Sequence, residues 1–185
     1  LFREHFLQRL EAPVRPVIGN HDHLAVFPED GSAPAADPKA AFRETYGLER
    51  SWYTFEHGGI RFFMLDSIRP LPEEKRYMGT LDHEQWSWLQ GEAAALDPEQ
   101  PAIVVTHIPF RTTFKQAQEG GMAWLADNLV NVMGNQVVAA FKGKRLLLVL
   151  QGHLHVNEEI RFGPEHFIMG GAVSGAWWKG HNMGT

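Results

Sequence analysis

Three short segments carry side chains suited to holding a metal ion: Gly19-Asn20-His21-Asp22, Thr106-His107 and Gly152-His153-Leu154-His155. Neutral imidazole nitrogens and an amide oxygen make a mixed N/O shell of the kind transition metals accept. The sequence has no cysteine, which excludes thiolate sites and disulfides together, so any metal falls to His, Asn, Asp or Glu. If the three segments meet, Asn20, His21, His107, His153 and His155 surround one point. Each segment alone is weak. A single histidine is more often a satisfied or solvated side chain than a ligand, and alternate residues of any strand share a face, so His-x-His can arise on any exposed strand. His5, His57, His83, His166 and His181 are read in that plain way, and His23 as either close to the site or merely exposed. The signal is joint, because each segment follows an apolar run.

Those apolar runs are the elements that must do the positioning. Pro13 to Ile18 reads as a buried strand stopped by Gly19. Ala102 to Val105 is a continuous apolar strand leading into His107, and Leu146 to Leu150, the most apolar strand of all, delivers residues 151–155. In open α/β sheets, ligands collect beyond the C-terminal ends of such strands. Trp52 to Glu56 and Ile60 to Leu65 flank His57-Gly58-Gly59 as a hairpin would. Asp37 and Pro38 open a helix running through Tyr46 and closed by Gly47. Asp82 with Gln85 starts a longer helix whose Trp86, Leu89, Ala93 and Leu96 share a face.

Further along, Met122, Leu125, Ala126, Leu129 and Val132 predict another helix, and Val137, Val138 and Phe141 a short one ended by Gly143. Strands are expected at Glu159 to Phe162 and His166 to Met169. Phe2, Phe6, Leu7 and Leu10 fall at helical spacing, unlike a signal peptide. Strands alternating with helices, plus hairpins, predict an α/β fold with mixed pairing and one domain.

With 185 residues, a formal charge of -5 and 21% charged residues, the chain is an ordinary globular one with no basic field to attract a phosphate backbone. General nucleic-acid binding is therefore not expected, while a small phosphorylated substrate remains compatible. No apolar run approaches the ~20 residues a membrane span needs. Localisation and oligomeric state are not encoded in these features.

The set Gly19-Asn20-His21-Asp22, Val104-Val105-Thr106-His107-Ile108-Pro109 and Gly152-His153-Leu154-His155 resembles the motifs of the calcineurin-like metallophosphoesterases, in that family's order. Phe42 to Gly47, the hairpin Trp52 to Leu65 and its Asp66-Ser67 end lie where the family has similar elements. The tail Gly175 to Gly180, with Trp177 and Trp178, resembles a bacterial subgroup that carries a further C-terminal domain. The resemblance implies a four-layer α/β/β/α sandwich of two mixed sheets flanked by helices. It also implies a phosphomonoesterase or phosphodiesterase with two divalent or trivalent metal ions, Mn, Fe or Zn. Asn20, His107 and His153 then match ligands of one metal and His155 a ligand of the other. His21 matches the residue that contacts phosphate and protonates the leaving group, with Asp22 hydrogen-bonded to it.

One departure accompanies the match. The family opens with Asp-x-His and Gly-Asp-x-x-Asp/Asn, which supply most of the first metal's ligands, and residues 1–18 contain His5 but no Asp. Residues 1–185 are thus expected to be a phosphoesterase domain lacking that region, belonging to a longer protein. The alternative is a non-catalytic module with a partial metal site. Asp66 could substitute as a bridging carboxylate, but a strand-end role fits its place better. A metallo-β-lactamase-like reading of His21-Asp22-His23 wants His-x-His-x-Asp-His as one run, which is absent. Trp177 and Trp178 either line a substrate lip or pack against the sheet. Loops 28–38 and 110–121 are where substrate specificity would lie.

Overall fold

A computed structural model describes residues 2–5, 7–23, 26–28, 30 and 32–172; the side chains of residues 2 and 3 are not among those described, and the tail with Trp177, Trp178 and His181 lies outside the described residues. The principal sheet has six strands: β1 (Tyr53–His57), β2 (Ile60–Leu65), β5 (Ala102–Thr106), β6 (Leu146–Gln151), β7 (Glu158–Phe162) and β8 (Glu165–Met169), in the order β1-β2-β5-β6-β8-β7. The inner four run parallel and β1 and β7 pair antiparallel at the edges. A second, two-stranded antiparallel sheet joins β3 (Ile68–Leu71) to β4 (Arg76–Gly79). The α/β architecture with two sheets thus follows expectation.

The helices are α1 (Phe2–His5), α2 (Ala40–Tyr46), α3 (His83–Ala95), α4 (Phe114–Glu119) and α5 (Gly134–Ala140). Helix α3 starts where Asp82 accepts the Gln85 N–H, and it buries Leu89 and Ala93. With α5 it covers one face of the sheet, where Phe63, Leu65, Val104, Val149 and Phe167 meet Val137 and Phe141 in one core. Phe63 and Phe141 pack edge to face at 4.9 Å between centroids, the arrangement that the ring quadrupoles favour. Helix α2 begins at Ala40, later than expected. Its N-cap is Lys39, with no side-chain cap, and Asp37 instead closes the turn before it by accepting the Lys39 N–H at 3.2 Å; Gly47 ends the helix in the left-handed region at φ 66°.

Two expectations fail for identifiable reasons. Pro13 to Ile18 forms no ladder, because Pro13 and Pro16 have no N–H to donate; only Ile18 of the run is buried. Instead the Pro16 carbonyl accepts the Tyr53 hydroxyl at 2.7 Å, which ties the run to β1. Residues 122–132 form turns rather than a helix. Their backbone is used elsewhere: the Asp127 carbonyl accepts the Gly79 N–H, Val132 donates to the Gly79 carbonyl, and Asn131 donates to the Pro109 carbonyl. A helix would need those same groups for its own ladder.

Candidate functional site

The parallel strands β5 and β6 end side by side, and their trailing loops are tied by a hydrogen bond from Gly152 N–H to the His107 carbonyl at 3.0 Å. Ser67 Oγ accepts the Ile108 N–H at 2.9 Å, and the buried Gln151 Oε1 accepts the Phe110 N–H at 3.0 Å. Gln85 clamps the end of β2, accepting from the Asp66 N–H at 2.9 Å and donating to its carbonyl at 2.8 Å. These buried bonds leave His107 and the 153–155 turn little freedom.

The third segment arrives as a 3-10 turn, Asn20–Asp22. Asp22 Oδ2 accepts the Gly19 N–H at 2.7 Å, so the described partner of this carboxylate is a backbone donor that closes the turn. Gly19 is buried against the His107 ring: a Cβ there would stand 3.2 Å from His107 Cε1. The absence of a side chain lets the two segments touch.

Asn20 Oδ1 lies 2.9 Å from His107 Nε2, and His153 Nδ1 lies 3.2 Å from the same nitrogen. His153 Nε2 faces the Asn128 carbonyl at 2.9 Å; a carbonyl only accepts, so that nitrogen carries the proton and Nδ1 presents a lone pair. Asn20 Nδ2 in turn faces the Tyr77 hydroxyl at 3.3 Å, which leaves its Oδ1 aimed at the histidines. His21 and His155 stand near enough that a proton on either opposes one on His107 or His153. Desolvation, followed by the neighbouring histidines, pushes the His107 ring down to about 3. Burial likewise lowers His153. Both rings are neutral at neutral pH, the form that binds metals.

The 153–155 turn is not strand-like. His153 and His155 both sit in the left-handed region, at φ 75° and 56°, a conformation that costs a non-glycine residue ~1–3 kcal/mol and gathers at functional sites. Both residues are half-buried, with Leu154 buried between them.

The donor set can be tested against a cation. Two ligands bound at ~2.0–2.1 Å with tetrahedral or octahedral angles lie ~3–3.4 Å apart, close to the 2.9 and 3.2 Å separations found here. A single proton on His107 Nε2 cannot point squarely at both acceptors, whereas a cation can be shared by all three atoms. The amide oxygen and two imidazoles therefore fit part of one metal shell. Among the described residues, no group of three or more His, Cys, Asp or Glu side chains is arranged to hold a metal ion.

Asp66 is not available as a substitute. Its Oδ2 accepts from Lys39 Nζ at 2.6 Å and from Ser51 Oγ, its Oδ1 accepts the Ile68 N–H at 3.1 Å, and it is 1% exposed. His23 turns its Nδ1 to the Gly19 carbonyl at 3.1 Å, and it too stands near enough that a proton on it opposes one on His107. Sequence reasoning missed Tyr77 and the Asn128 carbonyl, which orient Asn20 and His153. Tyr77 lies on β4, in a hairpin that the sequence does not announce.

The family model for calcineurin-like phosphoesterases matches residues 2–157. Among solved structures, a dimetal phosphatase from Danio rerio is similar at 14% identity and TM-score 0.47, over 65% of this chain and 49% of that one. The chain thus spans about half the length of that neighbour. No curated protein matches.

Proposed function

The chain belongs to the calcineurin-like phosphoesterase family, and from that premise we propose that it hydrolyses a small phosphoester at a dinuclear metal centre. The observation that carries this reading is the meeting of Asn20 Oδ1, His107 Nε2 and His153 Nδ1 within 2.9 and 3.2 Å. In this reading those three atoms hold one cation and His155 contributes to the other, with carboxylates from outside the described cluster completing the pair. Bound cations of this kind, Mn, Fe or Zn, polarise phosphoryl oxygens, lower the pKa of a bound water and balance charge during in-line displacement.

The chain's own residues do the rest. His21, exposed on the 3-10 turn beside Asn20, contacts the phosphoryl group and gives its proton to the departing alkoxide oxygen. Asp22 holds the Gly19 N–H and so fixes the turn on which His21 stands. His107 and His153, half-buried among their neighbours and neutral, lack the second ring proton that would compete with a cation. Among the described residues no helix is long and apolar enough to cross a membrane.

The test is turnover of p-nitrophenyl phosphate and bis(p-nitrophenyl) phosphate by the metal-loaded protein, with and without chelator. Chelator-sensitive release from either ester supports the reading and identifies it as a mono- or diesterase. No release from a protein that has bound metal favours the alternative, a non-catalytic module.

A further inference from the structure

Beside Asn20, on the side facing the second sheet, lies a cavity of about 210 Å³ lined by Asn20, His23, Val26, Phe27, Ile68, Pro70 and Tyr77. Five of these seven residues are apolar or aromatic, and they come from separate parts of the chain: the 26–27 segment, β3 and β4. A cavity of ~150 Å³ is enough to take benzene, so this one, which is open to solvent on one side and lined by both polar and apolar groups, has room for a single ring and little more. Among its described lining residues there is no Lys, Arg, Asp or Glu. A second phosphate or a carboxylate would meet no charged side chain among these described lining residues.

Two residues join this cavity to the cation cluster. Asn20 lines the cavity and also points its Oδ1 at His107 Nε2. Tyr77 forms a wall, stands 3.3 Å from Asn20 Nδ2 through its hydroxyl, and sets its ring edge-on to His153 at 6.2 Å between centroids. A phosphoryl group held at the cluster therefore has this cavity next to it. His23 closes the polar side with its Nδ1 turned back to the Gly19 carbonyl.

We propose that this cavity beside Asn20 and Tyr77 receives the apolar alcohol portion of the phosphoester, a single aromatic ring or compact branched group, and so sets substrate class. The proposal rests on the phosphoesterase reading above. Burying such a group is worth ~1.5–3 kcal/mol, which corresponds to roughly 10- to 100-fold in kcat/KM.

The experiment compares benzyl phosphate with ethyl phosphate, esters of alcohols of similar acidity, on the metal-loaded protein. Benzylphosphonate and methylphosphonate are run alongside as inhibitors. The expected result is a benzyl preference of about 10- to 100-fold in kcat/KM, mirrored in the inhibition constants. In Phe27→Ala the benzyl-to-ethyl ratio should fall about tenfold, carried by KM for the benzyl ester. Equal efficiency and equal inhibition in the unmodified protein overturn the proposal even if the variant does not fold. A ratio unchanged in a folded Phe27→Ala overturns it too. Turnover of both esters without preference sinks only this inference, whereas no turnover of either sinks the phosphoesterase reading with it.

Discussion

The Tyr77 hydroxyl lies 3.3 Å from Asn20 Nδ2, and Asn20 Oδ1 lies 2.9 Å from His107 Nε2. An amide whose nitrogen is engaged on one side must present its oxygen on the other, so β4 sets the direction in which Asn20 offers a ligand. Tyr77→Phe keeps the ring against His153 and removes only the hydroxyl. Partners that orient a ligand are worth ~10- to 100-fold in metal affinity. At 3.3 Å the bond is long, which favours the lower end. We therefore expect metal affinity to fall about tenfold, with an unchanged melting temperature for the metal-free protein. Unaltered affinity would remove Tyr77 from this role.

Asp66 separates structure from chemistry. Its carboxylate is saturated by Lys39, Ser51 and the Ile68 N–H. Asp66→Ala should destabilise the fold by about 3 kcal/mol, the low end for a broken buried pair because Lys39 keeps some exposure. Bound metal per folded molecule should stay the same. A proportionate loss of metal would instead make Asp66 a ligand.

The metal-free protein should lose stability in acid because of its histidines. His107 is pushed down to about 3 and His153 is also lowered, while an unfolded chain returns each to ~6.5. Above that value both states are neutral and stability is full. Below it the unfolded state takes up protons first, so stability declines as pH falls from ~6.5 toward the folded values, with a slope of about one proton from His107 and a further contribution of the same sign from His153. Urea titrations between pH 7.5 and 5 measure that slope, and His107→Gln should reduce it by about one proton. Equal slopes in the two proteins would show that His107 is not held neutral by burial.

The acid role of His21 predicts a dependence on the leaving group. His21→Gln should slow esters of weakly acidic alcohols by ~10²–10⁴-fold and esters of acidic phenols far less. Equal losses across the series would make His21 a binding residue only.

The strands that carry His107 and His153 were legible because Ala102 to Val105 and Leu146 to Leu150 are continuous apolar runs, although only β5 is buried along most of its length and β6 leaves Leu147 exposed. The meeting of the two histidines followed from where those strands end, whereas Asn20 reaches them from an irregular run and a 3-10 turn rather than from the expected strand. Other parts were hidden for physical reasons. The apolar period in residues 122–132 mimics a helix, yet Met122 is 99% exposed while Leu129 packs with Leu154, Val156 and Met169. Backbone bonds to Gly79 and Pro109 decide that segment, and they leave no side-chain signature. The β3–β4 hairpin was concealed by Pro70 and by Glu73, Glu74, Lys75 and Arg76 at its turn, so Tyr77 was not anticipated. The His-x-His spacing suggested alternation on a strand, but two left-handed residues bring the rings to the site instead.

The central claim is that Asn20, His107 and His153 share a cation. Elemental analysis of the purified protein beside His107→Ala and His153→Ala, each first shown to be folded, tests this most directly. The account predicts bound Mn, Fe or Zn in the unmodified protein and a loss of at least one metal per chain in both variants, together with p-nitrophenyl phosphate turnover. Full metal content in both folded variants would contradict it.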